Sequence, residues 1–175
     1  MTQELIELIK ADPAYATFRN IVRNTQKSLN IQNSLDDALS LHNSRVLRDL
    51  KGEQRYSPKL LIDANLTDLS FRSRLVDMRV RNDVKLSTLR EALDAIRGHI
   101  STQYSTELKS FSTVDQRRAF VDRAVKNSAQ LLADGEALLT TIDALIKDID
   151  QSNFHFKTII ECLKLMDSSK TGTTV

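Results

Sequence analysis

The side chains able to do chemistry here are three histidines, one cysteine and a cluster of bases. Their spacing decides which chemistry is open. His42, His99 and His155 lie far apart, and none has a ligand-type residue one helical turn away, the spacing a zinc site on a helix needs. Cys162 has His155 seven residues before it, on roughly one helical face, but a lone cysteine in an apolar helix reads as packing rather than as a nucleophile. No glycine-rich phosphate loop and no paired-cysteine motif occurs. The reading is therefore no enzyme, no metal and no cofactor, with activity sought in binding.

The bases are the binding candidates. Residues 72–90 hold Arg72, Arg74, Arg79, Arg81, Lys85 and Arg90 against Asp77 and Asp83, a net of +4. At about 100° per residue, Arg72, Arg79, Arg90 and Arg97 fall within about 20° of one line along a helix. Arg74, Arg81 and Lys85 cluster on roughly the opposite side. Such a ladder can track the phosphates of a single strand, releasing a counterion at each contact. The competing reading is a solvated flank paired with acids of a neighbouring helix. Residues 134–150 supply them: Asp134, Glu136, Asp143, Asp148 and Asp150 against Lys147 alone, a net of −4. Those two stretches could also pair between subunits. For stacking bases, only Phe71 and the loop residue Tyr56 lie close in sequence.

Whatever positions these residues must be helical. The chain has 175 residues but only 4 Gly and 2 Pro, where average usage gives about 12 and 9. So few turn-formers favour a handful of long helices, and an apolar content of 41% is too high for disorder. From Val121 to Met166 an apolar or small residue recurs in 3-4 spacing. Its members Leu131, Gly135, Leu138, Ile142, Leu145, Ile149, Phe156 and Ile159 predict an oligomer seam. Gly135 fits either a close helix approach or a tolerated exposed glycine.

The expected organisation is a set of N-terminal helices over residues 1–51, a long helical hairpin over 59–167 and a flexible tail over 168–175. Asp12 and Pro13 read as an N-cap and first helical residue. A helix follows to Leu50, weakest between Asn30 and Ser34. The third helix runs from about Lys59 to Lys109. It carries Ile62, Leu66, Leu69, Val76 and Val80 on one stripe and Leu86, Leu89, Leu93, Ile96 and Ile100 on a displaced one. Thr88 and Glu91, at capping-box spacing, leave a break at that slip open. Ser112 or Thr113 caps the fourth. The fold class read from this is all-α: an elongated helical bundle with a long antiparallel, coiled-coil-like hairpin, assembling as a homo-oligomer. The charge of +2 is nearly neutral, no stretch of about 20 apolar residues occurs, and the expected setting is cytoplasmic, in a host cell if the chain is viral.

Two stretches resemble the UvsY-type recombination mediators of tailed phages. Arg72-Ser73-Arg74-Leu75 is similar to that family's basic-x-Arg-Leu element, with Asp77 one position later than its acidic residue. Phe154-His155-Phe156-Lys157-Thr158-Ile159-Ile160-Glu161 is similar to its closing aromatic-x-Ile-Lys-x-x-Ile-Glu segment, with Phe156 in place of Ile. Leu131-Leu132-Ala133-Asp134 resembles its Leu-x-Ala-Asp. About 30 residues, Val84 to Ser112, are additional here, and the aromatics that follow the family's Arg-Leu element are missing. The resemblance implies a small all-α ring-forming protein that binds single-stranded DNA and helps load a RecA-like recombinase onto strands covered by single-strand-binding protein. The other class compatible with the chain is a structural coiled-coil adaptor, scaffold or virion assembly protein without a nucleic-acid role.

Overall fold

A computed structural model describes residues 2–52 and 57–171; Tyr56, one of the two expected stacking aromatics, lies outside them. The described residues are all-α and contain no strand. Contacts divide the chain into two compact units. One comprises residues 1–32 with 80–139, the other 33–79 with 140–175.

In the first unit, α1 (Thr2–Ala11) turns into α2 (Pro13–Leu29) where Asp12 caps the new helix. Its carboxylate accepts the Ala14 N–H at 2.7 Å, with Pro13 in the first turn. The expected helix from Pro13 to Leu50 is in fact three. It breaks at Asn30, whose left-handed φ of 37° ends α2 while its N–H bonds back to the Gln26 carbonyl. Asparagine tolerates that conformation better than other side chains. The unit's core joins Leu5, Ile9 and Phe18 to Leu89, Leu93, Ile96 and Ile100 from the C-terminal part of α5 (Pro58–Gln103), and to Phe120, Val121 and Val125.

Tyr104 ends α5, its hydroxyl donating to Asp12 at 2.9 Å. A four-residue α6 (Ser105–Leu108) and a turn lead to α7 (Val114–Ala124). Thr113 is its N-cap, accepting from Gln116 N–H at 3.2 Å, while Gln116 reaches back to Ser112. The expected fourth helix is divided at Val125, before α8 (Lys126–Thr171). There the Tyr15 hydroxyl takes the Ala124 carbonyl at 3.0 Å, satisfying an acceptor that a continuous helix would have used internally. α8 continues into the expected tail through Thr171; residues 172–175 lie outside the described ones.

In the second unit, α3 (Ile31–Asn43), assigned to it from Asn33, leads to the short α4 (Val46–Asp49). The Arg45 side chain makes no cap bond; Asp68 of α5 accepts the Val46 N–H instead at 2.9 Å. Leu50, Leu61 and Ala64 form one core cluster of this unit, with Leu47, Phe156 and Leu163 against it, and Ala38, Leu41, Leu75, Ile142 and Ile149 are buried as well.

α5 has no break at Thr88, whose hydroxyl bonds to the Val84 carbonyl of its own helix. Nor does its buried face slip. Leu61, Ala64, Asp68, Leu75, Asn82, Leu86, Leu89, Leu93, Ile96 and Ile100 are all buried, in one continuous 3-4 phase. The stripe read as its first half is the outer surface: Ile62, Leu66, Leu69 and Val80 are exposed. The displacement arose because two inward positions, Asp68 and Asn82, are polar.

Candidate nucleic-acid interface

α5 carries all six basic candidates, and the structure sends them to different environments. In the second unit Arg72 Nε and Nη2 grip Asp150 at 2.5 and 3.0 Å, and Arg79 Nε reaches Asp143 at 3.1 Å. In the first, Arg90 pairs with Glu136 at 2.7 Å and Arg97 with Asp122 at 3.1 Å. Lys85 donates to the Ser28 carbonyl at 2.7 Å. Arg74 and Arg81 remain exposed and make no ion pair with any described residue. The two charged stretches therefore meet inside one chain, which is the paired-flank arrangement. In the second unit the partner numbers descend along α8 as they rise along α5, so there the two helices run antiparallel.

These pairs are half-exposed, about 38% for Arg72 and 47% for Asp150, so they contribute little stability. They do fix where the side chains point. The Arg72 hydrogen bond holds Asp150 below the usual carboxylate range, and Arg72 is correspondingly harder to deprotonate.

Around that pair lies a groove of about 570 Å³. One wall is Asn65, Leu69 and Arg72, at successive turns of α5. The other is Asp150, Phe154 and Lys157, at successive turns of α8, with Asn153 and Phe156 beside them. Phe154 is 69% exposed, a large apolar ring held in water. The amide oxygens of Asn65 and Asn153 are buried without a donor from any described residue, and a buried acceptor left so costs about 1–3 kcal/mol. The groove thus offers two cations, one of them held by Asp150, and an exposed ring. Arg72 belongs to the basic-x-Arg-Leu element and Phe154, Phe156 and Lys157 to the C-terminal one. Folding joins these elements in one place. Sequence spacing placed only Phe71 and Tyr56 near the arginines and missed this aromatic wall, which is contributed by residues about 80 positions away.

The eight seam positions divide similarly. Leu138, Ile142 and Ile149 are buried within the chain, and Leu131 packs on the first core. Leu145 is half-buried, and Phe156 packs on the second core. Ile159 is 43% exposed. Gly135 is buried at a close approach. A Cβ there would overlap Leu86 Cδ2 and come within 3.0 Å of its Cδ1 and 3.2 Å of Leu29 Cδ2.

A charged cluster that sequence spacing did not reveal lies in the second unit. Arg45 and Asp68 are both essentially buried, with Arg45 Nε 3.4 Å from Asp68. The Arg45 guanidinium also donates to Asp148 and, at 2.5 Å, to Ser152 Oγ; His42 Nε2 lies 2.8 Å from Asp148. An adjoining cavity of about 610 Å³ is walled by this cluster and by Leu50, Leu61, Leu145 and Phe156. Ser152 donates to its own helix, at the Asp148 carbonyl 3.0 Å away, so no serine–histidine nucleophile pair exists here. Cys162, expected to pack, is exposed. Among the described residues no group of His, Cys, Asp and Glu could hold a metal ion, and no helix is long and apolar enough to cross a membrane. No family model matches the chain, and neither a curated protein nor a solved structure does.

Proposed function

We propose that this protein is a recombination-mediator-like accessory protein. It holds single-stranded DNA in the groove between α5 and α8 and assists a RecA-like recombinase, acting as a homo-oligomer in the cytoplasm and without catalysis. The observation that carries this reading is the meeting of Arg72 with Phe154 and Lys157 around one groove. An exposed ring beside cations is what sequence-tolerant binding of a strand requires: the base stacks and the phosphates are neutralised. Asp150 occupies the Arg72 guanidinium as a phosphate would, and a strand displaces it. Arg74, exposed on the far side of α5, adds to the field rather than to the groove.

The test is fluorescence anisotropy of a labelled mixed-sequence single strand across a salt series. Phe154→Ala should weaken binding by about 1–3 kcal/mol whatever the sequence, whereas Asp150→Asn should strengthen it. Binding indifferent to both substitutions rejects the groove as the site.

The second reading is a structural adaptor or assembly protein. It is favoured by the large apolar side chains that Ile62 and Leu66 of α5 and Ile159, Leu165 and Met166 of α8 expose. It expects salt-insensitive self-association in sedimentation and no strand binding.

A further inference from the structure

The first unit has a basic groove of its own, outside the two charged stretches, which only Arg97 of the ladder reaches. It encloses about 660 Å³ where α5 ends and α7 begins, and Arg97, Lys109, Arg117 and Arg118 line it against one acid, Asp122. That acid is held by Arg97. Glu107, although on the same turns, lines a different depression with Leu5 and Phe111. Arg117 is fixed by donating to the Phe111 carbonyl at 3.2 Å. Lys109 and Arg118 are exposed, and their side chains make no ion pair with any described residue.

One wall of the groove is built from small residues. Gly98, Ser101 and Ser105 succeed one another at turn spacing and line it together, and a Cβ on Gly98 would meet nothing within 4 Å. No aromatic residue lines the groove. It therefore has cations and hydroxyls for an anion, room for that anion to come close to the backbone, and nothing on which a base could stack. Guanidinium groups match the oxygens of a phosphate in pairs, and lysine adds a point charge.

We infer that the groove lined by Lys109, Arg117 and Arg118 is a phosphate-binding site that takes backbone phosphates of a single strand without reading its bases. It shares the strand ligand with the proposed function but needs neither Phe154 nor Arg72. Lys109 and Arg118 are the contacts that can be removed without disturbing the fold; Arg117 is excluded from the test because it holds the Phe111 turn.

The experiment uses the full chain and a labelled oligothymidine strand of about 20 nucleotides, with binding measured across salt. Each lost phosphate contact lowers the log–log salt slope by about 0.7. The variant Lys109→Ala/Arg118→Ala should thus lower it by about 1.4, or weaken binding about 25-fold at 0.1 M salt with the 1 M intercept unchanged. The charge-retaining Lys109→Arg/Arg118→Lys should keep the slope. An unchanged slope in the alanine variant, at intact helicity, overturns the site. Competition by inorganic phosphate as strong as by the strand identifies a free-anion site and overturns the strand assignment; polyglutamate competing equally overturns the phosphate chemistry. Slope loss in the alanine variant with Phe154→Ala silent supports this groove and rejects the α5–α8 groove. The converse pattern rejects this one alone, and no strand binding even at low salt rejects both.

Discussion

Asp68 shows how much one side chain can be asked to do. It is fully buried, accepts the Val46 N–H that opens α4, and faces the equally buried Arg45. Removing one partner of a buried ion pair leaves an uncompensated charge, which costs about 3–5 kcal/mol. Asp68→Ala should therefore lower stability by that amount, read as a shifted urea midpoint at unchanged m-value. Double replacement of Arg45 and Asp68 by leucine and methionine should recover much of the loss. A midpoint within experimental error of the parent for Asp68→Ala would show that Asp148 and Ser152 suffice to hold Arg45.

At the scale of the helices, Gly135 marks a close approach of α8 to Leu86 and Leu29. Alanine is intrinsically better in a helix by about 1 kcal/mol. Here, though, both δ-carbons of Leu86 stand in the way and Leu86 is itself completely buried, so overpacking of about 1–3 kcal/mol should win. Gly135→Ala should lower the thermal midpoint, and a raised midpoint would mean that Leu86 has a free rotamer. The helices also show how far the sequence could be read. The α-class, the Asp12 and Thr113 caps and the later face of α5 were legible, because local capping chemistry and uninterrupted leucine spacing are written in neighbouring residues. The earlier face of α5 was not, since its inward positions include Asp68, whose polarity has a reason only once Arg45 is seen beside it, and Asn82, whose buried Nδ2 finds no acceptor among the described residues. The breaks at Asn30 and Val125 were hidden differently. Asn30 was a visible weak point, but the Tyr15 hydroxyl that takes the Ala124 carbonyl comes from 109 residues away. The proposed site divides in the same way: Arg72 stands out by charge alone, whereas Phe154 becomes its neighbour only through tertiary structure.

For the whole molecule, the carboxylates set the response to acid. Asp12 is held below its ordinary value of 3.8, first by the hydrogen bond from His99 and then by the Ala14 N–H; Asp148 is held below it by His42 and then Arg45. A depressed carboxylate lends stability that is complete above its unfolded pKa and disappears as pH falls through the folded one. Stability should accordingly hold down to about pH 4 and fall below it. Asp12→Asn and Asp148→Asn should each flatten that acid limb in thermal melts at graded pH. Acid limbs as steep as the parent's would show that other carboxylates dominate.

The pairing of Arg72 with Asp150 and Arg79 with Asp143 has a consequence for alignment. Lys147 sits on the same row of α8, four residues after Asp143 and three before Asp150. Sliding α8 by one turn in one direction would set Lys147 against Arg72, and in the other against Arg79. Either error replaces a weak attraction with repulsion, so the one base in an acidic stretch acts as a ratchet tooth that biases α8 towards the native register. Lys147→Glu should remove the tooth without touching any pair in the native alignment. Cysteine crosslinks engineered one turn out of register should then form more readily than in the parent, and equal yields in both would show that the apolar core alone sets the alignment.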